Sequence, residues 1–168
     1  VGPYRWDIKF LCGWRFERRV LTNRLNWQRP ELLHKSGELG GMSEVLKGVR
    51  VVDLTHGPVG GLATMIMADF GAEVLVIDAP EPHGIDELAS TPMWRRGKRS
   101  LTLDTTDAEQ RDTLEELFAG ADVCLVNWRP QALETQALDF DRVHARHPHL
   151  IYCHISGFGS RGPKANYP

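Results

Sequence analysis

The sequence lacks long apolar runs and an excess of charge of either sign. No apolar stretch reaches the roughly 18–20 residues that a membrane-spanning helix requires, so no membrane partner is expected. The 168 residues carry a formal net charge of −2, which gives no overall attraction to nucleic acid. With 42% hydrophobic and 25% charged residues, the composition indicates a soluble globular protein, and the length suffices for one domain with a core.

Residues typical of metal sites and nucleophilic catalysis are few and poorly spaced. The cysteines, Cys12, Cys124 and Cys153, form no CxxC pair. The last two lie in apolar runs, which favours small buried side chains in a reduced cytosol over a catalytic thiol. The three histidines between positions 144 and 149 straddle a proline and lack carboxylate or cysteine partners, and no Ser-His-Asp arrangement is evident. We therefore expect no metal site.

Composition divides the chain at Met42. Residues 1–41 hold 8 Lys/Arg against 4 Asp/Glu, whereas the remainder holds 12 against 18. The first part also has three of the five tryptophans and no sustained helical or strand period. We interpret Met42 as the natural start, residues 1–41 as a poorly ordered upstream or intermodule segment, and residues 42–168 as the domain. A basic arm that binds RNA or lipid is the alternative, although it has no regular basic face.

From Met42 onward, β-branched runs alternate with helical patterns. Strands are predicted at residues 49–54, 73–78, 100–103, 123–126 and 150–155. The first predicted helix spans residues 62–70 and ends at Gly71. The second begins after a cap at Asp104 or Thr106 and runs to about Ala119, and the third spans residues 139–146. Residues 57–61 are predicted to form a turn and 79–92 a loop. This alternation predicts a Rossmann-like, doubly wound α/β fold with a mostly parallel sheet.

The turns that follow the predicted strands have residues suited to a nucleotide-like ligand, because parallel sheets bind ligands at the carboxyl ends of their strands. The glycine-rich turn at 57–61 opens a helix and could receive a phosphate, although it does not match GxGxxG and Pro58 lacks an N–H. Asp78 stands where a dinucleotide fold places its ribose-binding acid. The basic run at 95–99 and the NWRP turn at 127–130 suit phosphate and adenine. Each feature could equally be an ordinary turn, a cap or a solvated charge run.

The ordered set of motifs is more specific than any single motif. In chain order the set comprises LKGVRVVDL at 46–54, GP at 57–58, MADFGAEV at 67–74, RGKRSLTLD at 96–104, GADV at 120–123, NWRP at 127–130, HPHLIY at 147–152, ISGFG at 155–159 and GP at 162–163. This set resembles the N-terminal stretch of family III (CaiB/BaiF-type) CoA-transferases, a superfamily that includes formyl-CoA transferase and alpha-methylacyl-CoA racemase. The resemblance covers essentially all of residues 45–168 and none of 1–41.

The resemblance implies that coenzyme A, as an acyl-CoA substrate, binds at the strand ends without a metal. The residues that match the family's CoA-contacting segments and basic motif are Pro58, Val59, Lys98, Arg99, Leu103, Asp104, Thr105, Thr106, Asn127, Trp128 and Arg129. For Lys98 and Arg99, a structural role is the competing interpretation.

The resemblance also implies a cytoplasmic enzyme that works as an interlocked homodimer, each chain having a Rossmann-like large domain and a small domain. In the family, an aspartate attacks the acyl-CoA carbonyl, and CoA passes through an aspartyl thioester to an acceptor carboxylic acid. The family's order places that aspartate beyond Pro168, so no catalytic residue is assigned, and this incomplete large domain is expected to be inactive alone. The alternatives are an acyl-CoA racemase of the same superfamily, a dinucleotide-binding domain of an oxidoreductase, and a non-catalytic fragment.

The sequence departs from the family pattern in two places. The family often has a basic residue just after the acid of the second strand, within reach of a CoA phosphate, whereas this chain has Ala79. Gly61 stands where many relatives have proline. Both differences argue against a CoA site identical to that of the family. The stretches around Gly61 and Met93 look closest to members that contain two fused modules, which would make residues 1–41 an intermodule segment.

Overall fold

A five-stranded, fully parallel sheet organises the part of the chain that the computed structural model describes, namely residues 45–80, 91–159 and 162–165. The strands are β1 (Arg50–Asp53), β2 (Glu73–Asp78), β3 (Arg99–Thr102), β4 (Val123–Val126) and β5 (Ile151–His154). The helices are α1 (Pro58–Asp69), α2 (Thr91–Arg95), α3 (Ala108–Ala119), α4 (Pro130–Thr135) and α5 (Phe140–Arg146). The predicted α/β class with a parallel sheet is therefore confirmed.

The strand order β3-β2-β1-β4-β5 places β1 at the centre of the sheet. Val52 pairs with Leu75 on one side and with Cys124 on the other. The chain builds outward from β1 through β2 to β3, then returns to add β4 and β5 on the other side. The order in which the chain adds strands to the sheet reverses between β1 and β4. At such a point doubly wound sheets open a crevice for a ligand.

Alternate residues along the strands fill two cores, one on each face of the sheet. One core joins the sheet to α3, α4 and α5, and its fully buried members include Val52, Leu114 and Phe118. The other core lies under α1 and includes Val51 and Val74. Because both faces are covered, the strands have continuous apolar runs, the pattern from which they were predicted.

Helix α1 begins at Pro58, so the predicted turn over residues 57–61 and helix start at Leu62 are wrong. Proline suits the first helical position because its missing N–H is not needed there. Only Gly57 keeps a turn conformation, with φ of 91°. The predicted end is confirmed, because Gly71 follows the helix with φ of 96°.

The spacing of Leu62, Met65 and Ile66 predicts one shared face of α1, but these side chains separate in the structure. Met65 is buried, whereas Leu62 and Ile66 are exposed. The helix instead packs through its small residues, Gly60, Gly61 and Thr64 among them. Small residues bring the α1 backbone close to the sheet and leave Leu62 and Ile66 outside.

Other predicted boundaries are corrected by capping and by two short helices. The cap of α3 is Asp107, whose carboxylate accepts from Gln110 N–H, and neither Asp104 nor Thr106 caps it. Both α2 and α4 were missed, because five or six residues are too few to show a helical period. Thr91 and Pro92 belong to α2, so the predicted loop ends earlier than proposed. The predictions for residues 1–41 and 81–90 lie outside the described residues.

Candidate functional site

The carboxyl ends of all five strands lie at one edge of the sheet because the strands are parallel. The segments that leave this edge include most of the residues that the resemblance selected. They are the turn into α1 after β1, the loop after β3 and the turn into α4 after β4. We call this the ligand edge.

A hydrogen-bonded clasp joins the turn after β1 to the turn after β4. The Asn127 side chain accepts from the backbone N–H of His56 (3.1 Å) and donates to its carbonyl (2.7 Å). Trp128 Nε1 donates to the carbonyl of Leu54 at 2.9 Å, and its ring stacks on His56 with centroids 5.6 Å apart. Asn127 is buried, while Arg129 is exposed at the start of α4. Asn127 and Trp128 therefore hold the crevice between β1 and β4 in shape, whatever else they contact.

The first turn of α1 rises from this clasp. Its N-cap residue, Gly57, supplies no side-chain hydrogen bond to the helix. Pro58 is half-buried and Val59 is exposed. The positive end of the α1 dipole therefore lies at the ligand edge.

A buried polar network supports the turn from beneath. Asp53 accepts from the hydroxyls of Thr55 and Thr64, both at 2.5 Å. Lys98 Nζ donates to the carbonyl of Gly61 (2.8 Å) and to Thr64 Oγ1 (2.5 Å), and lies 3.7 Å from an Asp53 carboxylate oxygen. Burial lowers the pKa of Lys98 to about 8, an effect that the nearby Asp53 carboxylate opposes. These contacts fix α1 to β1 and β3 with almost no exposure of either charge.

The four cations of the basic run each contact a carboxylate of a neighbouring element. The pairs are Arg95 with Asp78, Arg96 with Asp69, Lys98 with Asp53, and Arg99 with Glu73. These pairs tie α2 and β3 to α1, β1 and β2. A structural role for the run is therefore visible, whereas CoA contacts by Lys98 and Arg99 stay a prediction.

The loop after β3 has its own internal order. Asp104 accepts from both the N–H and the hydroxyl of Thr106, at 2.9 and 2.6 Å. The Thr106 hydroxyl, followed by its N–H, holds the pKa of Asp104 below its ordinary value. Thr105 Oγ1 donates to Gln136 Oε1 at 2.5 Å, which joins the loop to the end of α4. Leu103 is buried and Thr106 exposed, so only part of the predicted CoA segment is open to solvent.

The structure reveals partners that sequence reasoning missed. His56 and Thr64 were given no role, although His56 occupies the ligand edge and Thr64 bridges Asp53 and Lys98. The position of His56 directly after a strand was the available signal. Nothing in the local sequence marks Thr64, because its partners come from other elements.

Among the described residues, no group of three or more His, Cys, Asp or Glu side chains could hold a metal ion. None of the helices described is long and apolar enough to cross a membrane.

Comparison with known proteins gives one consistent result. The model of a family described as CoA-transferase family III matches residues 46–168. A protein named probable fatty acyl-CoA transferase Rv3272, from Mycobacterium tuberculosis, is 33% identical over 134 residues, covering 73% of this chain and 34% of the relative. A formyl-CoA:oxalate CoA-transferase from Streptomyces avermitilis is 33% identical over 136 residues, covering 75% of this chain and 33% of the relative. The chain thus spans about a third of the length of these curated relatives.

Solved structures agree with the sequence matches. A crystal structure of Rv3272 from M. tuberculosis superposes with a TM-score of 0.68 at 32% identity, covering 76% of this chain and 38% of that one. A CAIB/BAIF family protein from Brucella suis gives a TM-score of 0.65 at 33% identity, covering 73% of this chain and 36% of that one. The described fold is therefore the fold of the corresponding part of these proteins.

Proposed function

Because this chain belongs to CoA-transferase family III, we propose that residues 42–168 form the N-terminal, CoA-binding part of the large domain of a transferase. The enzyme moves CoA between an acyl-CoA thioester and a carboxylic acid through an aspartyl intermediate. Residues 1–41 would be an upstream or intermodule segment. The complete protein would be a cytoplasmic, interlocked homodimer.

The observation that carries the proposal is the convergence of the family-matching segments on one edge of the sheet. Pro58 and Val59 begin α1 beside the clasp, and Arg129 lies exposed on the other side of the β1–β4 crevice. A helix N-terminus and a guanidinium both favour the diphosphate of CoA. The loop after β3 lies farther along the same edge, where an adenosine would extend.

Four of the described aspartates have structural partners, which supports placing the nucleophile elsewhere in the enzyme. Asp53 is buried in the network with Lys98, and Asp104 folds the loop after β3. Asp69 and Asp78 pair with arginines of the basic run. The proposed nucleophile belongs to sequence beyond Pro168, as the family resemblance implies. A racemase of the same superfamily would share the CoA-binding part and differ in that later sequence.

Calorimetric titration of the purified chain with CoA and with NAD tests the ligand class. We expect micromolar binding of CoA and none of NAD. The reverse result would assign the fold to a dinucleotide enzyme.

A matched pair of substitutions on α1 tests the location. Val59→Asp puts a carboxylate at the first turn and should weaken CoA binding more than tenfold. Ile66→Asp adds the same charge two turns away at another exposed position and should leave binding unchanged. Equal effects of the two would argue against a ligand at the α1 N-terminus.

The same preparation should have no transferase activity. The test is exchange of CoA between an acyl-CoA and a free carboxylic acid, followed by chromatography. Measurable exchange by the chain alone would mean that it contains a nucleophile, contrary to the proposal.

A further inference from the structure

The positive charge at the end of β2 is paired with a carboxylate. Arg95 directs both terminal nitrogens at the Asp78 carboxylate, NH1 at 2.8 Å from Oδ2 and NH2 against Oδ1. This pair is mostly buried, with side-chain exposures of 19% and 23%. Its two charges offset each other where β2 ends.

The neighbouring sequence supplies no further lysine or arginine. Between Asp78 and Arg95 the chain has neither residue. At the end of β3, Asp104 contributes a further carboxylate, whose pKa is held low by Thr106. The remaining cations of the basic run contact carboxylates of α1, β1 and β2.

The position of the adenosine follows from the topology. In doubly wound sheets the half built from β1, β2 and β3 binds the adenosine, and the residue at the end of β2 meets its ribose. A carboxylate there suits free ribose hydroxyls, whereas a phosphorylated ribose requires a cation. CoA has a phosphate on the 3′-oxygen of this ribose, and 3′-dephospho-CoA does not.

Resting on the proposed function, we infer that the ribose end of this site recognises hydroxyls and makes no favourable contact with the 3′-phosphate. The chain therefore binds 3′-dephospho-CoA at least as tightly as CoA. The residues that set this specificity are Ala79, which places no cation after β2, and Asp78, which occupies the guanidinium of Arg95.

Arg95 is the residue that could oppose this conclusion. Its terminal nitrogens pair with the Asp78 carboxylate, so a phosphate at the remaining N–H groups would lie close to that largely buried carboxylate. Desolvation already raises the pKa of Asp78, although Arg95 opposes that effect. A second anion at this already neutralised guanidinium gains little net attraction.

Calorimetry of the complete chain with CoA and with 3′-dephospho-CoA tests the inference. We expect the dissociation constant for CoA to equal or exceed that for 3′-dephospho-CoA within the error of the measurement. Tighter binding of CoA beyond that error would overturn the inference while leaving CoA binding, and so the proposed function, intact. Binding of neither compound would overturn both.

An introduced cation gives the reciprocal test. Ala79→Arg should tighten CoA binding about tenfold and leave 3′-dephospho-CoA binding unchanged. The matched control is Ala119→Arg, at the exposed last residue of α3. That helix ends beside Arg50, at the opposite edge of the sheet. The same added charge there should leave the dissociation constants for CoA and for 3′-dephospho-CoA unchanged.

Ala79 is half-buried, and the neighbouring Pro80 is exposed. Pro80→Arg is therefore the second variant, used if Ala79→Arg lowers the melting temperature markedly. If neither variant creates a preference for CoA, the ribose does not lie at the end of β2 and the inference fails.

Discussion

At the residue scale, Gly60 is required by one close neighbour. A Cβ at this position would overlap the Thr55 side chain, which is held in place by Asp53. Thr55 and Asp53 cannot move without breaking the buried network, so the α1 backbone would have to shift. The glycine that looked like part of a turn is a packing residue inside a helix.

We predict that Gly60→Ala lowers the free energy of unfolding by about 3 kcal/mol, the range of overpacked cores. Denaturant titration followed by circular dichroism measures the change. The matched control is Gly157→Ala, because an added Cβ there meets nothing within 4 Å. It should change stability by less than about 0.5 kcal/mol. Similar values for the two variants would mean that the helix and Thr55 are not in close contact.

Lys98 gives a second prediction at this scale, with a defined pH dependence. Lys98→Met leaves the Asp53 carboxylate buried without its cation and should cost about 3 kcal/mol near neutral pH. Adding Asp53→Asn in the double variant should recover part of this loss, because the uncompensated charge is removed. Full additivity of the two substitutions would contradict the pairing.

The pKa of Lys98 decides the sign of the pH effect. In the folded chain it lies at about 8, below the ordinary 10.5. Between these values the unfolded chain binds more protons, so stability rises with pH. The cost of keeping the charged Lys98 amine buried is full below about pH 8 and disappears above about pH 10.5. The stability difference between the native chain and Lys98→Met should therefore grow from pH 8 to pH 10. A constant difference would mean that Lys98 titrates as it does in water.

At the element scale, the clasp between the turns after β1 and β4 is the contact that shapes the crevice. Asn127→Ala removes the acceptor for His56 N–H and the donor to its carbonyl. We expect a loss of about 2 kcal/mol, because partly buried backbone groups lose their partner. Thr135→Ala is the control, since its exposed hydroxyl bonds only within α4. A loss no larger than that of the control would show that water replaces the amide.

How far the sequence predicts each element depends on where its contacts lie. Buried strands follow from their own β-branched runs, so β1, β2, β4 and β5 were located within one or two residues. The predicted caps of α3, Asp104 and Thr106, precede the observed cap, Asp107, by three positions and by one. Both predicted residues are good caps, but the turn that Asp104 makes with Thr106 leaves the capping position to Asp107.

The site was predictable as an edge but not as a set of contacts. Parallel strands bring their carboxyl ends together, so the glycine-rich turn and the NWRP turn were rightly placed on one edge. The pairing of the basic run with Asp78, Asp69, Asp53 and Glu73 joins residues far apart in the chain. No local pattern distinguishes such a run from one that binds phosphate.

At the scale of the whole molecule, α1 presents an apolar stripe to solvent. Val59, Leu62 and Ile66 are spaced along one side of the helix and are 39%, 38% and 45% exposed. The small residues on the other side of α1 allow it to lie close to the sheet, which leaves these side chains outward. Adjacent apolar side chains of this kind favour contact with another protein surface.

We therefore predict that the purified chain associates with itself through α1 as its concentration rises. Sedimentation velocity over a range of concentrations measures the association, and the double variant Leu62→Gln/Ile66→Gln should shift it at least tenfold toward monomer. Ile151→Gln is the control, because Ile151 is 64% exposed but lies on the edge strand β5. If Ile151→Gln reduces association and the α1 variant does not, the outer side of α1 is not needed for self-association. The contact would then involve the β5 edge of the sheet.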